Sequence, residues 1–558
     1  MIGSILVTLS LSLLSLRLMG LKGEYDWGEL VVLLVFPALP FMGLLGTLFL
    51  LFKPPPQFPL ILGLLLLPLA LKFRPKIKLE KNTLYPLISI ITIHSLLWIL
   101  YFYKYPILHS FLMSHDPIFH MLKVKQLSEG TFPAGRYPLT LHFTALFYSI
   151  EWDYNPAAVR YFVGAMELLA PLLTYSVGKR LFSKQTIGYL VSTMYSLVYV
   201  PASAHIYFMG TYPNFYEEIQ VLFILFISTL LTKTDTNIFN LILIPFYSIY
   251  ALSVHWFSSL FFTALTVSWL IEALYRRFKL DIVMLKKGLL FAAPSSLLVL
   301  FVRPNFVVSV LSGHLRYSES LDPLFLYLKN RIPYLAYLIS EATYVPSFLA
   351  LLALAYVFIR LLTKREEKCL FPILLWVVLC ALPPFFMKTQ PGNTPRFVVE
   401  SLIPLSLLLG YFLGKIYDFI EKNSIQKEWK IIVKTLFLIF ICIIVTFSPF
   451  RLRVYDIADG FGRVHDIYTS VYDSMLWLKT KGNATVVSIV LPHYRYLPIF
   501  SRCKLIGDYY ANASQAITLN ADYIVVAKYY RYYDMYTNHS KLILVYENKW
   551  VAVFERRK

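Results

Sequence analysis

The chain alternates between long apolar segments and short polar connections. A helix that crosses a membrane needs roughly 20 mostly apolar residues, and by this criterion the sequence contains about fourteen spans. The pattern therefore predicts a polytopic α-helical membrane protein. The spans lie near residues 3–20, 29–52, 57–73, 84–103, 157–178, 185–205, 215–232, 237–254, 256–275, 287–303, 343–362, 369–387, 397–416 and 431–449.

A different pattern begins near residue 450. The runs "ATVVSIVL" (484–491) and "ADYIVVAKY" (521–529) are rich in β-branched residues and typical of buried strands. The segment "VYDSMLWLKTKG" predicts a helix that ends at Gly482. The final run "KLILVYENKWVAVFER" (541–556) predicts a hairpin. We therefore expect a small α/β domain at the C-terminal end of the chain.

These patterns divide the chain into three parts. Transmembrane helices occupy residues 1–83, and a larger transmembrane domain follows at 84–449. The second part contains a long connection at 104–156, which is long enough to indicate a function. Residues 450–558 form the α/β domain.

Lys and Arg residues predict the sidedness of the connections. The basic connections all fall on one side of the predicted spans, as cytoplasmic loops do; they are 72–81, 178–184, 275–287, 363–368 and 415–430. The external side then receives the connections 104–156, 206–214 and 304–342 and the C-terminal domain. The N-x-S/T patterns at Asn483, Asn512 and Asn538 all lie in that domain, and such acceptors are glycosylated only on the external or lumenal side. We expect a multi-pass protein of the cell membrane with an external C-terminal domain.

Composition agrees with a protein that resides in the lipid bilayer. Of the 558 residues, 58% are hydrophobic and only 15% are charged, whereas soluble domains contain about 25% charged residues. The net charge of +20 could indicate a nucleic-acid partner. However, the sequence has no Gly-rich phosphate loop, zinc-ligand spacing or basic helix, so we expect no nucleic-acid binding.

The external loop contains the stretch "FLMSHDPIFHMLKVKQLSEGTFPAGRYPLTLHF" (111–143). Asp116 precedes Pro117, a pattern that predicts a helix over 117–130 with Asp116 as its N-cap. His120 follows Asp116 by one helical turn, so the two side chains could face each other or share a cation. A divalent metal such as Mg²⁺ or Mn²⁺ is thus possible there, although no metal site is established by the sequence.

Further polar residues flank this helix or lie at other external ends of spans. We expect the helix to lie on the membrane surface with Ile118 and Leu122 on its apolar face. A second short helix with His142 is expected at the same interface. Acidic residues near the end of a span need partners and are functional candidates by default. The candidates that would line a site are His115, His120, His142, Glu217, Glu218 and His255.

The sequence resembles the GT-C superfamily of polytopic glycosyltransferases, which use polyprenyl-phosphate-linked sugars. The resemblance consists of a span followed by a long external loop with an acid and the patterns D-x3-H and YP-x3-H. The stretch "TPRFVVESLIPLSLLLG" (394–410) is similar to the start of a late span in protein-mannosyltransferase-like members. The C-terminal domain looks like the soluble domain of many archaeal members. The resemblance covers about residues 84–558.

The resemblance implies roles for two residues. Asp116 takes the position of the acid that acts as catalytic base or metal ligand, and Arg396 that of an arginine facing the lipid phosphate. The chain departs from the superfamily in two motifs. It lacks the "WWDYG" motif of oligosaccharyltransferases, and it has His115-Asp116 where a DxD motif would stand.

Chemistry supports the same residues independently. Sugar transfer from a lipid phosphate needs a base near the acceptor hydroxyl and cations that hold the phosphate leaving group. Arg396, Arg303 and Lys388 lie at predicted external span ends and could bind that phosphate. Arg303 and Lys388 could equally be membrane-interface anchors.

The leading hypothesis is therefore a membrane glycosyltransferase with a polyprenyl (dolichyl) phosphate-linked donor and a glycan, lipid or protein acceptor on the external face. One alternative is a transporter or flippase of lipid-linked saccharides, which should carry charges within its spans. Glu167 and Glu272 are candidates for such charges. A polymerase or ligase of lipid-linked saccharides is the other alternative.

Overall fold

The computed structural model describes a set of helices and one C-terminal sheet. The described residues are 2–21, 24–72, 76–77, 81–103, 115–130, 139–199, 212–231, 238–254, 261–265, 344–363, 370–381, 394–422, 473–491 and 503–557, with a few isolated positions besides. Side chains near several helix ends lie outside this description, among them those at 97–103, 115–119, 344–348 and 394–399. The predicted span at 287–303 and the predicted loop 304–342 lie outside the described residues.

Helices dominate the part of the chain before residue 450. In chain order they are α1 (Ile2–Leu18), α2 (Trp27–Val35), α3 (Leu39–Phe52), α4 (Phe58–Ala70), α5 (Lys81–Tyr103), α6 (His115–Ser128), α7 (Thr140–Ser149), α8 (Ala158–Leu181), α9 (Gln185–Met194), α10 (Tyr212–Leu231), α11 (Ile238–Val254), α12 (Tyr344–Thr363), α13 (Leu370–Ala381) and α14 (Thr394–Lys422). A 3₁₀ turn joins α2 to α3, and a π-helical turn, Tyr195–Tyr199, continues α9.

Three helical segments of the described chain are long and apolar enough to cross a membrane. They are Trp27–Phe52, Ala158–Leu181 and Glu400–Lys422. Shorter apolar helices lie at Ile2–Leu18, Phe58–Ala70, Leu84–Leu96, Ile242–Val254, Leu349–Leu361 and Leu370–Cys380. The prediction of a mostly helical protein with apolar helices is confirmed. The predicted number of about fourteen spans stays a prediction.

The chain divides into two compact units. One contains residues 1–101, 134–206 and 212–451, and the other contains 102–133, 207–211 and 452–558. We call the first the helical unit. The domain boundaries predicted at 83 and 450 stay predictions.

The helical unit exposes apolar side chains and buries polar ones. Leu51 and Phe52 are 75% and 76% exposed, whereas His94 and Glu29 are fully buried. In a water-soluble protein, a large exposed apolar surface is unfavourable and rare. In lipid, apolar side chains are favourable on the outside, and polar groups must find partners inside. The distribution of side chains therefore fits helices that are surrounded by lipid.

Glycines let neighbouring helices of this unit pack closely. A Cβ atom at Gly46 of α3 would overlap the backbone carbonyl of Phe143 in α7. A Cβ atom at Gly410 of α14 would lie 2.5 Å from the Cα atom of Val191 in α9, which is too close for any other residue. The contact between α3 and α7 bears on one prediction. The helix that carries His142 is packed against neighbouring helices, and His142 itself is fully buried; its expected position at the membrane interface stays a prediction.

Connections that the charge pattern predicts to be cytoplasmic lie next to each other. The strands β1 (Glu24–Tyr25) and β2 (Lys76–Ile77) form a parallel pair. Arg180 Nη2 donates to the backbone carbonyl of Glu24 over 3.0 Å. Lys184 forms an ion pair with Asp418 in the last part of α14. These contacts agree with the prediction that 72–81, 178–184 and 415–430 share one side, and the membrane face to which that side corresponds stays a prediction.

A second set of contacts involves connections predicted to be external. The carboxylate of Glu151 accepts hydrogen bonds from the backbone N–H groups of Gly3 (2.9 Å) and Ser4 (2.8 Å) at the start of α1. These N–H groups have no partner within the helix, so Glu151 satisfies them. Burial by itself would raise the pKa of Glu151, but the hydrogen bonds from Ser4 and Gly3 outweigh it and lower that pKa. Tyr154 donates to the carbonyl of Pro54 over 2.6 Å.

The C-terminal part of the chain folds as a five-stranded mixed sheet in the order β4–β3–β5–β7–β6. Strands β3, β4 and β5 are parallel, and β7 pairs antiparallel with both β5 and β6. Apolar clusters cover both faces of the sheet. Its elements are β3 (Thr485–Ile489), β4 (Lys504–Tyr509), α15 (Ala513–Thr518), β5 (Tyr523–Ala527), α16 (Tyr533–Thr537), β6 (Leu542–Glu547) and β7 (Val551–Arg556).

The sequence predictions for this sheet are confirmed except at β4. The runs at 484–491 and 521–529 form β3 and β5, and the final run forms the hairpin β6–β7. Gly482 follows the predicted helix with a φ of +70°, a left-handed conformation that favours glycine. Strand β4 was not predicted because "KLIGDYY" contains a glycine and an acid, which weaken the apolar pattern.

A buried ion network connects α2 to α8. Asp26 and Glu29 form a capping box at the start of α2. Glu29 accepts from Lys179 Nζ (3.0 Å) and Arg180 Nη2 (2.7 Å), and Asp26 accepts from Lys179 Nζ (2.7 Å). The Tyr175 hydroxyl also donates to Asp26 over 2.5 Å. The two acids are therefore neutralised by two basic residues on one neighbouring helix.

We predict that Glu29→Gln destabilises the helical unit. The change leaves Arg180 without its carboxylate, and breaking a buried ion pair commonly costs 3–5 kcal/mol; we expect about 3 kcal/mol because Arg180 keeps some contact with water. The thermal unfolding temperature of the purified protein in detergent measures this. The matched control is Glu129→Gln, which removes the exposed Lys125–Glu129 pair and should change stability by less than about 1 kcal/mol. Equal unfolding temperatures in both variants would contradict the assignment.

Candidate functional site

Buried carboxyl groups from three helices meet inside the helical unit. Glu217 and Glu218 follow each other in α10 and are 0% and 3% exposed. Glu218 interacts electrostatically with Glu400 in α14, which is 4% exposed. Glu217 interacts electrostatically with Glu400, and Glu167 of α8 interacts with Glu218. We call Glu167, Glu217, Glu218 and Glu400 the carboxylate cluster.

A buried histidine lies beside this cluster. His94 of α5 is fully buried, and its Nε2 atom is 3.7 Å from Oε1 of Glu167. Its Nδ1 atom is 3.1 Å from the hydroxyl oxygen of Ser196, which lies in the π-helical turn after α9. The ring of Tyr195 stacks on the imidazole, with ring centroids 6.1 Å apart. The π-helical turn thus presents two consecutive side chains to His94, and such turns are frequent at functional sites.

Every member of this group lies in the part of its helix nearer the predicted external end. Glu217, Glu218 and Glu400 come early in helices that begin on that side. Glu167 lies in the first half of α8, and His94 lies in the second half of α5, which ends on that side. The sequence predicts sugar transfer at the external face, and the group lies toward the helix ends that the same prediction places on that side.

The arrangement can bind positive charge or protons. Ionised carboxylates are hydrogen-bond acceptors only, and in a low-dielectric interior they repel each other strongly. Within the described ranges, no three His, Cys, Asp or Glu side chains are grouped so that they could hold a metal ion. The side chain of Asp116 lies outside the described residues, so metal binding by Asp116 and His120 stays a prediction.

The helix that carries Asp116 begins earlier than predicted. It starts at His115 instead of Pro117, so Asp116 lies in its first turn and not at the N-cap. Proline fits there because N–H groups of the first turn have no partner within the helix. The side chains of His115 and Asp116 lie outside the described residues.

The buried face of this helix also differs from the prediction. His120 is 1% exposed, and Met121, Val124 and Leu127 are buried with it, whereas Leu122 is only half-buried. The predicted face with Leu122 is therefore not the main buried face, and the side chain of Ile118 lies outside the described residues. Lys123 is buried as well, and desolvation lowers the pKa of its ammonium group.

The remaining predicted residues fall in different places. Arg396 lies in α14, one helical turn before Glu400, and its side chain is outside the described residues. His255, Arg303 and Lys388 lie outside the described residues altogether. Asn483 and Asn538 are exposed, as glycosylation requires. Asn512 is half-buried and accepts a hydrogen bond from the backbone N–H of Gln515, so it caps α15.

Sequence reasoning missed Glu400 and His94. Both had a readable signal, because an ionisable residue inside a long apolar segment is expensive without a partner. Glu400 follows Arg396 within the stretch 394–410, and only the arginine of that stretch was given a predicted role. Glu167 was recognised as a charge within a span, but only as a feature of a transporter.

Described by fold and site, the chain is a helical protein with apolar, membrane-compatible helices, a buried carboxylate cluster and a C-terminal α/β sheet. No protein-family model matches it, and no curated protein matches it either. Among solved structures, the chain is similar to archaeal oligosaccharyltransferases.

The similar structures come from Archaeoglobus fulgidus. Its oligosaccharyltransferase in the apo form has a TM-score of 0.47 and 12% sequence identity, covering 79% of this chain and 69% of that one. The enzyme AglB with an inhibitory peptide and a dolichol-phosphate has a TM-score of 0.41 and 11% identity over 79% and 69%. A complex with zinc and sulfate has a TM-score of 0.43 and 13% identity over 79% and 68%.

Proposed function

We propose that this protein is a membrane glycosyltransferase of the GT-C type. It transfers a sugar from a polyprenyl (dolichyl) phosphate-linked donor to a glycan, lipid or protein acceptor on the external face of the membrane. Asp116 acts as the base or as a metal ligand, and Arg396 holds the donor phosphate.

The observation that supports the proposal most is the position of Arg396 relative to the carboxylate cluster. Arg396 and Glu400 are four residues apart in α14, which is about one helical turn. Glu400 is buried and interacts with Glu218 of α10. The arginine proposed to bind phosphate thus precedes a buried acid by one turn, near the predicted external end of the helix. A cation for the phosphate and a base for the acceptor are the groups that transfer from a lipid phosphate requires.

Each group has a defined task in such a transfer. The guanidinium group of Arg396 can donate two parallel hydrogen bonds to phosphate oxygens and stabilise the charge that develops when the sugar leaves. The carboxylate of Asp116 takes the proton of the acceptor hydroxyl as the new glycosidic bond forms. A divalent metal, where one takes part, would be bound by Asp116 with His120, and it would add positive charge near the phosphate.

A transporter or flippase of lipid-linked saccharides is the second candidate. The cluster itself favours this alternative, because ionisable groups buried among membrane helices often mark a pathway for ions or substrates. His94 and Glu167 fit that description, since both are buried and lie next to each other. A transporter leaves its lipid-linked substrate chemically intact, and this distinguishes the two candidates.

We predict that Asp116→Asn abolishes most of the transfer while it preserves the fold. Asparagine resembles aspartate in size and in helix-start preference, but it cannot take a proton. Loss of a general base commonly lowers the rate about 10²–10⁴-fold. Sugar transfer in membranes and thermal stability are measured together, with Glu129→Gln near the end of the same helix as the matched control. Full activity of Asp116→Asn would remove Asp116 from the chemistry.

We predict that Arg396→Ala weakens binding of the lipid-phosphate donor. Loss of a charged hydrogen bond costs about 1.5–3 kcal/mol, and Arg396→Lys should restore only part of the affinity because the planar fork is lost. Donor binding is measured in an Asp116→Asn background, so that turnover does not interfere. The control is Arg360→Ala, which lies near the opposite, predicted cytoplasmic end of the helical unit. Unchanged affinity in both Arg396 variants would exclude a role in phosphate binding.

A further inference from the structure

Exposed aromatic residues are grouped at one end of the C-terminal sheet. Strands β3, β4 and β5 are parallel, so their carboxyl ends lie at the same end of the sheet. Tyr509 ends β4 and Tyr510 follows it, with the latter 80% exposed. Tyr529 comes two residues after β5 and is 50% exposed, and Trp550 lies beside it at the start of β7. We call these four residues the aromatic rim, and grouped exposed rings of this kind are typical of a binding surface.

The order of the strands makes this end of the sheet a favourable place for a ligand. From β3 the chain goes to β4 on one side, and then to β5 on the other side of β3. In open α/β sheets with such a reversal, ligands bind outside the carboxyl ends of the strands. The aromatic rim lies at the carboxyl ends of β4 and β5, on either side of β3.

Hydrogen bonds hold two of the tyrosines around the end of β3. The backbone N–H of Val490 donates to the carbonyl of Tyr509 over 3.1 Å, and the Tyr529 hydroxyl donates to the carbonyl of Val490 over 3.2 Å. Val490 has a φ of +60°, which β-branched residues rarely adopt. Unfavourable backbone conformations of this kind are frequent at ligand sites.

Gly507 allows the ring of Tyr509 to lie against its own strand. A Cβ atom at Gly507 would lie 2.7 Å from Cε2 and 2.9 Å from Cζ of Tyr509, so the ring occupies the space that a larger residue would fill. Glycine within a strand often marks a place where another group approaches closely. Tyr509 is thereby held in place and is still 37% exposed.

Charge at this end of the sheet is balanced. It is formed by three segments, residues 508–510, 528–534 and 547–550. Together they contain three basic, three acidic and seven aromatic residues. Lys528 forms an ion pair with Glu547 at 3.4 Å, and the guanidinium group of Arg531 lies over the ring of Tyr532, 4.6 Å from its centroid. Surfaces that bind nucleic acid or anionic lipid carry an excess of basic residues, so the balance favours an uncharged ligand.

We propose that the aromatic rim binds a neutral saccharide. A sugar ring carries C–H groups on its faces, which pack on aromatic rings, and hydroxyl groups around its edge, which form hydrogen bonds with tyrosine hydroxyls. Basic and acidic side chains beside the rings can donate to and accept from further sugar hydroxyls. The inference concerns the C-terminal domain alone and does not depend on the proposed transferase activity.

Binding of labelled oligosaccharides to the purified full chain tests the proposal. The probes are neutral oligosaccharides of mannose, glucose, galactose or N-acetylglucosamine, and oligosaccharides of uronic acids serve as the charged comparison. The detergent carries no sugar headgroup, which would compete, and no lipid-linked donor is added. We expect the wild type to bind a neutral probe. Tyr510→Ala and Tyr529→Ala should each weaken that binding about threefold to tenfold, as expected for the loss of one ring contact.

The matched control is Ile543→Ala, which truncates an exposed apolar side chain of the same sheet. Ile543 pairs with Glu555, and Glu555 pairs with Tyr523 at the amino end of β5. The control therefore lies at the opposite end of the sheet, and its affinity should equal that of the wild type. Thermal unfolding establishes that each variant is folded.

Three results would overturn the proposal. The first is a wild-type protein that binds none of the neutral probes, and this result stands even when a variant fails to fold. The second is binding that is unchanged in either folded tyrosine variant or that falls equally in Ile543→Ala. The third concerns a spin label at position 510 of the protein in nanodiscs. A label that oxygen dissolved in the lipid reaches, and a water-soluble nickel reagent does not, would make the aromatic rim a membrane contact.

Discussion

Burial of acidic side chains among apolar helices is the physical constraint on which the rest of this structure depends. The interior of such an assembly has a low dielectric constant, so each ionised carboxylate needs a compensating charge, hydrogen bonds or a proton. The helical unit meets this requirement in two different ways. At the start of α2, Asp26 and Glu29 are neutralised by Lys179 and Arg180 of the neighbouring α8. In the carboxylate cluster, acidic side chains interact electrostatically with one another.

The two solutions fit two different tasks. The network at α2 joins segments that the charge pattern predicts to be on the cytoplasmic side, and every acid in it has a basic partner, as expected of a structural contact. The carboxylate cluster lies toward the opposite ends of its helices, and its acids are electrostatic neighbours of one another. Groups held in an unfavourable state are common at functional sites, where their strain or protonation takes part in the mechanism.

Much of the fold could be predicted from the sequence, and the errors have physical causes. Apolar segment length predicted the described helices, and β-branched runs predicted β3 and β5. The burial of α7 was not predicted, because polar residues such as His142 and Thr144 suggest an exposed helix, whereas the structure buries both of them. Glu217 and Glu218 were predicted as site candidates near the end of a span, and the structure buries them in α10; their role in a site stays a prediction. Their interaction with Glu400 depends on where the fold places α10 and α14, which no local pattern reveals.

The central claim is that this protein breaks the bond between a sugar and its lipid phosphate. The most direct measurement is made in detergent micelles, where there is no bilayer across which a substrate could be moved. Purified protein is incubated with a radiolabelled polyprenyl-phosphate sugar and candidate acceptors, and the lipid products are separated. We expect the wild type to release free polyprenyl phosphate and Asp116→Asn to release far less. If the wild-type protein leaves the donor intact in micelles but moves it across the bilayer of proteoliposomes, the protein is a transporter and not a glycosyltransferase.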